Sequence, residues 1–224
     1  RLAEAVDLDF DPLLEEHETA WGRRWEHAAI DMPAQPALER ALRFALFHLL
    51  SAIPRHENAG IGARGLTGPA YKGHVFWDTD VFVVPALAAL APRGALGALH
   101  YRWRRLDPAR RRASDEGRQG ARFPWESAAS GDEVTPTTGR DLHGGSVPIL
   151  TGELEEHIVA DVAWAVCAYL AWTGDAEIAP TIAADLLVET ARYWQSRVEL
   201  DSDGSGHIRS VIGPDEYHEC VDDN

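Results

Sequence analysis

Cysteine is scarce in this chain, with two residues among 224, Cys167 and Cys220, and neither lies in a CxxC or CxxH spacing. That excludes a disulfide framework and a cysteine zinc site. Basic charge is in deficit as well. With 36 acidic against 21 basic side chains the formal charge is -15, which repels phosphate backbones and anionic lipid, so nucleic acid and membrane surfaces are excluded as partners. No apolar run reaches transmembrane length, and the opening Arg1-Leu2-Ala3-Glu4 carries no basic region followed by an apolar core. A cytoplasmic location is expected. Gly60, Gly62 and Gly65 are not a dinucleotide fingerprint, because no strand pattern precedes them and no helix opens within them. Asp222 and Asp223 lack the third spaced ligand and the glycine of a calcium loop. No cofactor and no metal is expected.

What is present is enough apolar material, 45% of the chain, for one sizeable core. Eight tryptophans against six phenylalanines is an unusual balance, and indole faces are good platforms for the C–H faces of sugars.

The apolar periodicity is helical nearly throughout. Leu14, Trp21, Trp25 and Ala28 predict an amphipathic helix over 11–30, and Leu42, Ala45, Leu46, Leu49, Leu50 and Ile53 a second that Pro54 stops. The segment from Asp80 to Leu87 is apolar all round and predicts a buried helix with Asp78 or Thr79 near its N-cap. Residues 94–106 predict another helix, restarted at Pro108. Its basic run, Arg102, Arg104, Arg105, Arg110, Arg111 and Arg112, is expected to coat a solvated face. Two further helices follow from Ile158, Val162, Ala165, Val166 and Tyr169, with His157 and Asp161 on or beside that face, and from Leu186, Leu187, Ala191, Trp194 and Val198. No alternating strand run of any length interrupts them. The pattern predicts helix packed on helix, an all-α fold.

Three irregular passages break the helices: a glycine-rich, aromatic stretch over 58–80, a second from Gly117 to Gly152, and the terminal run Val211-Ile212-Gly213-Pro214-Asp215-Glu216-Tyr217-His218-Glu219. Loops of such length in a compact domain are unusual unless they carry function. Gly213 is expected to supply a positive φ and Pro214 a fixed one, setting the following carboxylates on a stiff turn.

The motifs within these passages, Ala63-Arg64-Gly65-Leu66-Thr67-Gly68, Gly73-His74-Val75-Phe76-Trp77-Asp78-Thr79-Asp80, Phe123-Pro124-Trp125-Glu126-Ser127-Ala128, Glu156-His157-Ile158-Val159-Ala160-Asp161, Glu189-Thr190-Ala191-Arg192-Tyr193-Trp194 and the terminal run, closely resemble glycoside hydrolase family 65. That family contains the maltose, trehalose, kojibiose and nigerose phosphorylases. The resemblance implies an (α/α)6 barrel, a toroid of helical hairpins with long functional loops gathered on one face. On that template residues 1–30 form a linker helix, residues 31–224 form the N-terminal part of the catalytic barrel, and the chain is a truncated piece of a longer enzyme.

The same resemblance places the general acid on Glu216 and the pocket for the non-reducing glucose on Trp77 and Asp78, with Trp125 and Glu126 as further wall residues. Arg64 either clamps a sugar hydroxyl or pairs with a buried acid. His74 and His157 are read as hydrogen-bonded structural histidines. The reaction implied is inverting cleavage of an α-linked glucose disaccharide, with inorganic phosphate as co-substrate, giving β-glucose 1-phosphate and glucose. Asp215 and Glu219, as neighbouring like charges, are expected to keep Glu216 protonated. The family's phosphate loop, and the second carboxylate of its hydrolytic members, lie C-terminal to the acid and beyond Asn224. Hydrolysis and a non-catalytic sugar-binding fragment therefore remain alternative readings, and the segment alone is expected to be inactive. Homodimers are implied for full-length members.

Overall fold

A computed structural model describes residues 9–56, 58–66, 68 and 70–224. The first eight residues of the expected linker helix and Thr67 of the Arg64 motif lie outside the described residues. The chain divides into two compact units, Arg1–Ser51 and Ala52–Asn224.

The first unit is a pair of helices, α1 (Phe10–Ala28) and α2 (Pro36–Ser51), close to the expected bounds. Trp21 explains their pairing. Its indole stacks on Trp25 at 5.9 Å within α1 and on Phe47 of α2 at 4.8 Å, while Arg24 lies over its ring. The connection is tied down by Arg43, which bonds Asp31 at 2.7 Å and Glu39 at 3.1 Å.

In the second unit α3 (Val84–Leu90), α4 (Pro92–Trp103) and α5 (Leu106–Asp115) follow one another closely. After the second irregular passage come the single turn α6 (Thr151–Leu154), then α7 (Ile158–Thr173) and α8 (Ala184–Arg197). Helix α7 is the centre of the unit and packs on α3, α4 and α8. Ile158, Val159, Val162, Ala165, Val166 and Tyr169 make its buried face, whereas Trp164 and Trp172 face outward. Two short antiparallel hairpins, β1 (Thr138–Arg140) with β2 (Ser146–Pro148) and β3 (Glu199–Leu200) with β4 (Gly206–His207), are additions that no alternating pattern announced.

Helix α3 differs from expectation in two ways. It opens with a wide π turn over Thr79–Val83, closed by the Val84 N–H on the Thr79 carbonyl. Pro85 has no N–H to give the ordinary i→i−4 bond, and the wider turn accommodates that gap. The helix is also not buried all round, because Phe82 is 62% exposed.

The larger correction concerns the basic run. Arg102 and Arg105 do not coat a solvated face; both are buried. Arg102 forks onto Asp80, with Nη2 at 2.5 Å from Oδ2 and Nε at 3.2 Å from each oxygen. Arg105 donates to the carbonyls of Asn58, Tyr101, Ala128 and Ala129, joining both irregular passages to α4. Farther along, Arg112 reaches Glu133 at 2.8 Å and Arg122 reaches Glu116 at 2.5 Å. Arg104 and Arg111 of the run are exposed as expected, whereas Arg105 and Arg112 staple the long loop, because a guanidinium has enough donors to satisfy several loop acceptors at once.

Candidate active site

The terminal passage is carried back to the start of α7 by backbone pairing. Ile212 donates to the Leu154 carbonyl at 3.1 Å and pairs in parallel with Glu155, three residues before Ile158 opens the helix. Val211 and Val221 exchange both of their backbone bonds, at 2.9 and 3.0 Å, and close the intervening residues into a loop. Within it Glu216 N–H bonds the Gly213 carbonyl at 3.1 Å, a turn with Pro214 at its favoured second position. The positive φ expected at Gly213 falls instead on Glu216, at 58°. A Cβ at Gly213 would stand 2.7 Å from the exposed Asn224 side chain, which would have to turn aside. A glutamate held in the left-handed region is uncommon and costs free energy, which points to a role for its side chain.

The Glu216 residue is exposed, yet its carboxyl titrates above the usual carboxylate range. Partial loss of hydration is the first cause and the negative charge of Asp78 the second, with His157 opposing both. The expected helpers are therefore corrected. Asp215 is bonded to the imidazole of His218, which holds its own pKa down, and neither it nor Glu219 contributes to the shift of Glu216. The charge that acts on the acid comes from the far motif, through Asp78.

Trp77 lies against His157, whose charge acts on that acid. Half-buried, it meets the His157 ring edge-to-face at 5.1 Å and Phe82 at 5.7 Å. Asp78 occupies the N-cap position before the π turn but makes no side-chain capping bond, so its carboxylate is exposed and uncommitted there. The Thr79 hydroxyl bonds the Ile61 carbonyl at 3.1 Å and anchors the glycine-rich passage under the corner.

Trp125 joins from the second irregular passage through antiparallel pairing of Val75 with Ser127, with both bonds at 2.9 Å. Its ring stands edge-on to Phe76 at 4.9 Å, and its backbone N–H is fixed by Glu133 at 2.8 Å. Its indole N–H approaches Glu155 closely enough to favour the carboxylate, without reaching hydrogen-bond geometry. Glu126 is buried and committed to His74 Nδ1 at 2.6 Å. Arg64 is exposed and lies over Tyr71, 5.8 Å from the ring centroid; no ion pair or hydrogen bond among the described residues joins it to Glu216. The structure therefore gathers Trp77, Asp78, Trp125 and Glu216, and leaves Arg64 apart.

The sequence does not single out Glu155, and it places Asp161 only on or beside the helix face with His157. Glu155, fully buried, bonds His157 Nε2 at 3.0 Å, and Asp161 bonds Nδ1 at 2.7 Å. Burial pushes the Glu155 carboxyl upward, while His157 pulls it back. His157 itself is depressed by burial but raised further by Asp161 and Glu155, to about 9. The available signal was the run Glu155-Glu156-His157 immediately before a buried helix. Sequence could not say which glutamate turned to the histidine, since Glu156 instead bonds Arg197 at 2.6 Å. Chemically, Glu155, Asp161 and Glu216 around one imidazole, with Asp78 acting on Glu216, make an acid-rich corner beside two indoles. Such a corner can hold sugar hydroxyls, donate a proton and favour positive charge growing on a sugar ring. Among the described residues no group of side chains is arranged to hold a metal ion, and no helix is long and apolar enough to cross a membrane.

The family model of the glycosyl hydrolase family 65 central catalytic domain matches residues 43–224. The kojibiose phosphorylase of Caldanaerobacter subterraneus subsp. tengcongensis is 44% identical over 225 residues, covering 100% of this chain and 29% of that protein. The kojibiose phosphorylase of Escherichia coli is 42% identical over 228 residues, covering 100% and 30%. The kojibiose hydrolase of Flavobacterium johnsoniae is 38% identical over 212 residues, covering 95% and 30%. A solved human-microbiome protein, provisionally called a kojibiose phosphorylase, shares the fold with a TM-score of 0.85 at 24% identity, over 99% of this chain and 28% of that one. The chain thus spans less than a third of the length of these relatives.

Proposed function

The chain belongs to glycosyl hydrolase family 65, and from that premise we propose that the gene product cleaves an α-linked glucose disaccharide with inversion, taking kojibiose as substrate and inorganic phosphate as nucleophile. In this reading Glu216 is the general acid. Its proton passes to the glycosidic oxygen, the bond from that oxygen to the anomeric carbon breaks, and a phosphate oxygen bonds the anomeric carbon from the opposite face. The products are glucose and β-glucose 1-phosphate.

Trp77 supplies a face for the non-reducing glucose and Asp78 accepts from its hydroxyls. Trp125 closes the wall, and Glu126 acts from behind it through His74. Arg64 reaches the sugar only by moving from its place over Tyr71. The architecture proposed is an (α/α)6 barrel whose N-terminal part is formed by residues 31–224, with residues 1–30 leading into it, in a cytoplasmic enzyme. No resident cofactor is invoked.

The observation that carries the reading is that Glu216 titrates under the charges of Asp78 and His157, the same His157 that touches Trp77. A carboxyl whose pKa is raised by partial burial and by a neighbouring carboxylate is suited to glycosidic protonation. The second reading, hydrolysis, is favoured by one observation, the similarity to the Flavobacterium johnsoniae kojibiose hydrolase. Incubation of the full-length gene product with kojibiose, nigerose, maltose and trehalose, with and without phosphate, separates the two. Glucose 1-phosphate formed only with phosphate supports phosphorolysis. Glucose release independent of phosphate assigns hydrolysis, and no turnover of any of the four leaves sugar binding alone.

A further inference from the structure

Helix α7 begins at an imidazole held from both sides. With Asp161 Oδ2 at 2.7 Å from Nδ1 and Glu155 Oε2 at 3.0 Å from Nε2, both ring nitrogens face carboxylate acceptors. With both carboxyls ionised, both nitrogens carry hydrogen, which makes the ring a cation. Glu155 is fully buried, so this arrangement removes charge from water, and plain packing would be served better by an apolar side chain. The clamp also fixes the ring plane. That ring presents itself to Trp77 at 85°, and from its other surroundings Glu216 feels its charge.

We propose that His157 is a positioning residue of the active site: clamped as a cation by Glu155 and Asp161, it braces the Trp77 indole edge-on and sets the field in which the Glu216 carboxyl gives up its proton. The proposal deepens the reading of Glu216 as general acid and rests on it. The charged groups that face the imidazole are Glu155 and Asp161 from its own segment and Glu216 from the terminal loop, while Asp78 at the start of the π turn acts on Glu216. Behind Asp161 stand Asp80 and Arg102, whose opposite charges largely offset one another. At the acid, therefore, Asp78 raises the pKa and His157 lowers it. Removing the cation leaves the acid protonated to higher pH, while freeing the indole.

The test is the pH dependence of kcat/KM for phosphorolysis of kojibiose by the full-length gene product carrying His157→Gln, His157→Lys or Glu216→Gln. For His157→Gln the alkaline limb is expected to move up by about half a pH unit or more. The rate at the optimum falls roughly 10- to 100-fold, as misplacement of a substrate-holding side chain produces. His157→Lys restores a positive charge without a ring, so its limb returns toward that of the parent while the rate stays low. If His157→Gln does not fold, His157→Asn serves in its place. A neutral variant whose alkaline limb stays within about 0.1 unit of the parent, or a lysine variant that restores rate as well as limb, overturns the positioning role. Glu216→Gln separates that failure from failure of the underlying reading: retention of more than about a tenth of the parental rate removes the general acid from residue 216, and the proposal with it.

Discussion

Replacing Asp80 by Asn should destabilise the protein by about 3–5 kcal/mol, the cost of leaving a buried guanidinium without its counter-charge. Asp80 and Arg102 are each about 1% exposed, and Arg102 gives Asp80 three contacts between 2.5 and 3.2 Å. Asparagine can accept one of those bonds but cannot neutralise the charge. The remaining compensation comes from Asp161, whose field reaches Arg102, and it should place the cost toward the lower end. Position matters as much as size, since Asp80 lies two residues after Asp78 and inside the π turn that aims it. The assay is urea unfolding of the full-length gene product, following the transition that carries these helices. A paired control distinguishes the orphaned charge from simple loss of a contact: Asp80→Leu with Arg102→Met should recover most of the loss, because buried pairs replaced by apolar side chains are often neutral in stability. A loss below about 1 kcal/mol for Asp80→Asn, or a double variant no better than the single, would refute the reasoning.

His157 links stability to pH with a definite sign. Its folded pKa of about 9 lies above the ordinary 6.5, so its contribution is whole below pH 6.5 and disappears as pH rises through 9. That amounts to about 3 kcal/mol of pH-dependent stability, measurable by urea unfolding across the window and absent in His157→Gln. Gly120→Ala should cost more than the usual 1–3 kcal/mol of a left-handed non-glycine residue. Gly120 has φ +72°, and a Cβ there would stand 2.2 Å from the Glu189 carbonyl and 2.5 Å from the Tyr193 nitrogen, so the loop would have to lift from α8; thermal unfolding reads the loss. Glu133→Gln removes the carboxylate that holds the Trp125 and Thr135 N–H groups at 2.8 and 3.0 Å and pairs with Arg112. Faster amide exchange at Trp125 and a stability loss of about 1–3 kcal/mol are expected; unchanged exchange would mean that the Val75–Ser127 pairing alone fixes the loop.

The helices were legible because their apolar positions repeat every three to four residues whatever lies beyond them. The pattern over 11–30 and the series from Leu42 to Ile53 landed within a few residues of α1 and α2. What periodicity cannot report is the partner of a charge. Arg102 looked like one more member of a basic run, yet its partner Asp80 is 22 positions away and its burial follows from that pairing. The same limit hid Glu155, whose neighbour Glu156 has identical chemistry and an entirely different partner.

The terminal turn was legible as a turn, since Pro214 fixes its second position. The left-handed conformation falls on Glu216 and not on Gly213, because glycine permits a positive φ but does not demand it. The resemblance supplied Trp77, Asp78 and Glu216 as members of one site, while the physical link between them, an imidazolium braced between two carboxylates, emerged only from the coordinates.

The proposed chemistry requires Glu216 and the Trp77–Asp78 corner to face one glucose. A crystal structure of the full-length gene product carrying Glu216→Gln, soaked with kojibiose, tests this directly. An intact disaccharide is expected, with its non-reducing ring against Trp77 and Asp78 and its glycosidic oxygen about 2.6–3.2 Å from the side chain at position 216. A sugar bound elsewhere, or a side chain at 216 turned away from the glycosidic oxygen, would contradict the proposed chemistry.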